Sequence, residues 1–135
     1  MSVYLDTSAL FAVLDADDQK HLAARREWER ELNSDELLHT SSYVLVETAA
    51  LLQRRIGLDG LRTFTADILP VINVIWVDEG IHRSAWHALL VSSRRDISFV
   101  DCVSFEAIRR LGIDQVLCFD AHFAEQGFPV LPAGG

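Results

Sequence analysis

The chain has 135 residues, half of them hydrophobic, enough for one domain whose core needs neither disulfides nor a structural metal. Its formal net charge of −8 excludes a protein that coats nucleic acid with a basic surface, but not one that meets nucleic acid through bound cations. No apolar run approaches the roughly 20 residues needed to cross a membrane, and the start has neither a basic segment nor a signal-peptide core, so a soluble, cytoplasmic protein is expected.

Short apolar segments alternate with longer amphipathic ones, the pattern of a parallel α/β fold. Val3-Tyr4-Leu5 reads as the first strand, followed by helices over 8–14 and 18–32, the second with Ala24, Trp28 and Leu32 on one face. Leu37-Leu38-His39 reads as a strand, and a helix capped by Ser41 or Ser42 runs to about Ile56, where Gly57 stops it. A helix over 58–69 ends at Pro70; a strand follows over 74–77, and then a helix from His82 to about Ser93 with Trp86, Leu89 and Leu90 inward. Phe99 to Leu111 forms a helix stopped by Gly112, Val116 to Phe119 a fourth strand, and Pro129-Val130-Leu131 a short edge strand where proline is tolerated. No linker or repeat interrupts residues 1–135, so a single domain is expected.

Two strands run directly into an acid: Val-Tyr-Leu into Asp6, and Val-Leu-Cys-Phe into Asp120. Ligands of open parallel sheets bind outside the carboxyl ends of the strands, so both acids are candidates for one site. Glu47 and Asp101 are lone acids inside apolar helical runs, Val44 to Leu52 and Ile97 to Val103. An ionised carboxylate in such surroundings is costly unless it is paired or binds a metal, and no Lys or Arg is embedded in either run. Mg²⁺ or Mn²⁺, which choose carboxylate and water oxygens, would answer all four. Thr7, Ser8 and Ser98 are placed to orient a carboxylate or a metal-bound water, and equally to cap the helices that follow them.

Other features read more plainly. Asp78 follows a strand but is explained as a helix cap, and Asp15, Asp17 and Asp18 form a polar turn. His82 and His87 are five apart and do not share a helical face; His122, two residues past Asp120, reads as a surface histidine within reach of a phosphate. Cys102 and Cys118 lie in apolar runs and read as buried free thiols. Eleven Arg accompany one Lys, with Arg pairs at 25–26, 54–55, 94–95 and 109–110; arginine suits phosphate, but each pair falls on an expected helix, where a solvated face explains it. An aspartyl phosphotransferase would want a second Asp where Ser8 stands, and a response-regulator receiver needs a lysine after a late strand, whereas the one lysine is Lys20.

The ordered set Tyr4-Leu5-Asp6-Thr7-Ser8-Ala9-Leu10, Val46-Glu47-Thr48-Ala49, Ser98 to Phe105 and Cys118-Phe119-Asp120-Ala121-His122-Phe123 resembles PIN-domain nucleases, specifically VapC-type toxins of bacterial toxin–antitoxin pairs. The resemblance implies a three-layer sandwich around a mainly parallel sheet of four or five strands. It implies a metal-dependent endoribonuclease with Asp6, Glu47, Asp101 and Asp120 as catalytic and metal-binding residues, and Thr7 and Ser98 in support. It also implies a homodimer restrained by a VapB-like antitoxin. One position departs: Ala121 stands where a basic residue often follows the fourth acid. A free-standing PIN nuclease without antitoxin, and an inactive module binding RNA or a partner, are the alternatives.

Overall fold

The computed structural model describes residues 1–133; the last two positions of the expected domain, 134–135, lie outside them. Five strands, β1 (Ser2–Leu5), β2 (Leu37–Ser41), β3 (Asn73–Ile75), β4 (Gln115–Leu117) and β5 (Val130–Leu131), form one sheet in the order β3-β2-β1-β4-β5. Every pairing is parallel. Between them run α1 (Thr7–Leu14), α2 (His21–Leu32), α3 (Ser42–Arg55), α4 (Leu58–Thr63), α5 (Glu79–Ser92), α6 (Phe99–Leu111) and the short α7 (His122–Glu125). The α/β sandwich with helices flanking a parallel sheet is thus borne out.

Local signals set most boundaries. Ser41 Oγ accepts from Val44 N at 3.1 Å to open α3, and Asp78 Oδ1 accepts from Ile81 N at 2.8 Å to open α5, the capping role expected of Asp78. Gly112 closes α6 in the left-handed conformation (φ 65°), which glycine adopts without steric penalty. After α4 the chain widens into a π turn over 64–68 and then tightens into a 3-10 turn over 69–71, so the expected helix over 58–69 is broken as it nears Pro70.

Several expectations are corrected. The helix expected from 18 begins at His21, because Asp15 and Asp18 side chains accept from Asp17 N and Lys20 N and hold a turn. Strand β3 stops at Ile75 because Val77 N donates to Ser42 Oγ instead of a ladder. The helix expected from His82 starts at Glu79. Trp86 and Leu90 face outward, 52% and 67% exposed, and Leu32 is also exposed; the inner faces carry Ile81 and Ala85 on α5, and Ala24, Glu27, Trp28 and Glu31 on α2. Arg94 and Arg95 sit in the loop between α5 and α6, not on a helix. The short α7 had no periodicity to announce it, yet its Phe123 is fully buried and packs edge-on against Phe105 at 5.1 Å.

The core gathers Val3, Tyr4, Leu5, Leu10, Leu52, Ile108, Val116 and Leu117 around β1 and β4. Cys102 and Cys118 are buried free thiols, as expected. Tyr4 is wholly buried, and its hydroxyl hydrogen-bonds Ser104 Oγ at 2.7 Å, tying β1 to α6. Tyr4→Phe removes this partner and strands a buried hydroxyl. It should lower unfolding free energy by about 1–2 kcal/mol in urea denaturation, with the m-value unchanged.

Candidate metal and catalytic centre

The chain leaves β1 towards β2 on one side and leaves β4 towards β5 on the other. The gap beyond β1 and β4 is therefore a topological switch point, where open parallel sheets bind their ligands. Asp6 and Asp120 project from these two strand ends. Asp6 is only 3% exposed; its backbone N–H donates to Leu117 O at 3.2 Å, prolonging the β1–β4 ladder to the rim of the site.

Each acid is held by its own local chemistry. Asp6 caps α1, its Oδ2 accepting from Ser8 N (3.3 Å) and Ser8 Oγ (2.7 Å). Ser8 Oγ in turn accepts from Phe119 N at 3.0 Å, so one hydroxyl joins the ends of β1 and β4. Asp101 sits in the first turn of α6 within a capping box: Asp101 N donates to Ser98 Oγ (3.0 Å), and Ser98 N donates to Asp101 Oδ2 (3.2 Å). Asp120 Oδ1 accepts from His122 N at 3.0 Å.

Crowding shows in the protonation balance. Burial first, and then Asp120, push the Asp6 carboxyl up to about 8. Asp101 is raised as well, by burial and then Asp120, against the lowering pull of Ser98 and His122. The neighbouring Cys118 thiol is pushed up by burial and by all three aspartates. Among the described residues no Lys or Arg pairs with Asp6, Asp101 or Asp120. Hard oxygen donors, partly buried and uncompensated by side-chain cations of that kind, fit a divalent metal ion.

Glu47 stands apart from this trio. It is half-buried on α3 and lines an apolar groove with Tyr43, Val46, Phe99 and Val100, next in sequence to Asp101. No hydrogen bond or ion pair joins it to the other acids among the described residues. Of the supporting residues, Ser98 fixes Asp101 directly. Thr7 does not share that role: its Oγ1 is buried without a partner, and the orienting contact to Asp6 comes from Ser8. The residue most undervalued in the sequence is His122, whose Nδ1 lies 3.1 Å from Asp101 Oδ2. An Asp-x-His step directly after a strand was the signal available for it.

The fold and its acids define an α/β domain with a cation-competent carboxylate cluster at the switch point of its sheet. The chain belongs to the PIN domain family, whose model matches residues 3–129. It is similar to the 23S rRNA-specific endonuclease VapC20 of Mycobacterium tuberculosis, 35% identical over 127 residues, covering 93% of this chain and 95% of that protein. The crystal structure of that protein, described as a sarcin-ricin loop cleaving toxin, superposes with a TM-score of 0.84 at 34% identity over the same shares. A VapC ribonuclease of Aquifex aeolicus is 25% identical, over 92% of this chain and 91% of its own length. The structure of VapBC2 from Rickettsia felis, bound to a promoter DNA fragment, shares the fold with a TM-score of 0.72 at 13% identity, covering 96% of this chain and 97% of that one.

An acid whose folded pKa lies above its unfolded value destabilises the fold increasingly as pH rises between the two values. For Asp6 that window runs from about 4 to about 8. In EDTA at pH 7.5, Asp6→Asn should therefore raise Tm, by roughly 3–5 °C per kcal/mol relieved in a chain of this size. The gain should vanish at pH 4, as read by circular dichroism melts.

Proposed function

We propose that this chain is a metal-dependent endoribonuclease, a VapC-type toxin of a toxin–antitoxin pair, acting as a single PIN domain. The observation that carries the reading is the gathering of Asp6, Asp101 and Asp120 at the switch point, in a chain 35% identical to an rRNA endonuclease over nearly its whole length.

Asp6, Asp101 and Asp120 would hold the cation, with Glu47 reaching it directly, through water, or by way of a second ion. A bound Mg²⁺ or Mn²⁺ supplies Lewis acidity at the scissile phosphate and lowers the pKa of an attacking water. The chain's own residues supply the placement. Ser8 and Ser98 lock the carboxylates so that they need not reorganise when the substrate arrives. The apolar groove of Tyr43, Val46, Phe99 and Val100 offers a dry wall beside Glu47. Hydrolysis on this route leaves a 5′-phosphate and a 3′-hydroxyl. The substrate proposed is a structured loop of 23S rRNA, by likeness to the mycobacterial relative, since unpaired bases in loops are what proteins read in RNA.

The partners proposed are a small antitoxin, by likeness in fold to the VapBC2 complex of Rickettsia felis, and a second copy of the chain. The outward apolar side chains of α3 and α5 (Val46, Trp86, Leu90 and Val91) are the surface offered for self-association. No helix among the described residues is long and apolar enough to cross a membrane.

The decisive experiment incubates purified protein with 23S rRNA in Mg²⁺, Mn²⁺ or EDTA and maps the cuts by primer extension. Cutting should require metal and fall by about 10²–10³-fold in Asp101→Asn. Folded, antitoxin-free protein that cuts nothing under any metal would move the assignment to a binding module. For self-association, Leu90→Glu should shift the mass seen by light scattering from dimer towards monomer.

A further inference from the structure

The proposed mechanism leaves one imidazole beside the carboxylates unused. His122, the first residue of α7, points Nδ1 at the acids: 3.1 Å from Asp101 Oδ2 and 4.0 Å from Asp120 Oδ1. Asp101, Asp120 and His122 each bring one ligand atom to a place where all three lie within 4.8 Å of one another. A first-row cation with bonds of about 2.1–2.2 Å separates cis ligand atoms by about 3.0 Å and trans ones by about 4.3 Å. The spacings of Nδ1 from the two aspartates approach those two values. One cation could therefore be reached by Nδ1 and by a carboxylate oxygen from each of Asp101 and Asp120 without rebuilding the backbone.

The far side of the ring is arranged in keeping with this. Nε2 lies 3.7 Å from Asp96 Oδ2. Asp96 is gripped by Arg94 through Nε (3.0 Å) and Nη2 (2.6 Å), and Arg94 Nη2 also reaches Glu125 on α7 at 3.3 Å. A metal-ligating histidine commonly directs its second ring nitrogen at a carboxylate, which fixes the ring and strengthens the donor. Arg94 thus ties together the loop before α6 and the helix that carries the imidazole.

We propose that His122 is a nitrogen ligand of the cation held by Asp101 and Asp120, with Asp96, clamped by Arg94, as the outer carboxylate that orients its ring. This rests on the metal-dependent reading above and adds which metal the site prefers. Imidazole suits Fe²⁺, Ni²⁺ and Zn²⁺, whereas Mg²⁺ and Mn²⁺ favour oxygen; of these two, the transition-metal ion Mn²⁺ accepts a nitrogen the more readily. The preference is therefore for a transition metal over Mg²⁺. Without a cation, the same nitrogen hydrogen-bonds Asp101.

The test uses Mn²⁺ alone, without RNA, on metal-free protein. Electron spin-echo envelope modulation of the Mn²⁺-loaded wild type should show ¹⁴N coupling from a bound imidazole, absent in His122→Asn. In calorimetric titrations His122→Asn should lose at least about tenfold in Mn²⁺ affinity and less than about threefold in Mg²⁺ affinity. Asp96→Asn should weaken Mn²⁺ by about tenfold while keeping the nitrogen signal. A nitrogen-free spectrum from Mn²⁺-loaded wild type overturns the inference and leaves the nuclease reading standing. Equal losses for the two metals in His122→Asn also overturn it, reducing the residue to a support for Asp101. Failure of the wild type to bind any divalent metal overturns both readings.

Discussion

The site depends on one constraint: the two strands from which the chain departs in opposite directions are neighbours. Because β1 pairs with β4 in parallel, with Leu5 opposite Leu117, the residues just past both strands emerge side by side. Acids at those positions are forced together whatever their mutual repulsion. Helix α6 then brings a third carboxylate over the same opening. The fold holds like charges close because the buried apolar residues of β1 and β4 outweigh the electrostatic strain at their tips. The same balance explains why Asp6 gives up its proton so reluctantly without a cation.

Much of this was legible in the sequence because the signals were local and periodic. Strands ending in Asp6 and Asp120, the cap at Ser41, and the Gly112 stop each depend on a few adjacent residues. What escaped depended on tertiary placement. Trp86 and Leu90 satisfy an apolar helical pattern but lie on the outer side of α5, since Ile81 and Ala85 already fill its inner side. On α2 the inner positions go to Glu27 and Glu31 alongside Ala24 and Trp28, a choice hydropathy alone would reject. Helix α7 is too short to show a period, and it exists because Phe123 is anchored against Phe105. His122 was misread for the same reason: its place beside Asp101 is a contact across 21 positions.

The arginine pairs show how an apparent chemical signature becomes architecture. Arg94 clamps Asp96, Arg109 lies over the Phe128 ring at 5.0 Å, and Arg110 bonds Glu106 and Ser84 between α6 and α5. These side chains hold the protein's own acids, aromatics and hydroxyls. Arg26, Arg54, Arg55 and Arg95 have no such side-chain partner among the described residues and are exposed at the surface.

The order of elements along the chain also has a consequence for biosynthesis. Asp6 follows β1, whereas Asp120 comes only after β4, and His122 only with α7. A nascent chain still threaded through the ribosome can present Asp6 without the strand that completes its surroundings. The surroundings of Asp6 are thus completed by long-range contacts, and the centre cannot assemble before β4 and α7 have been made.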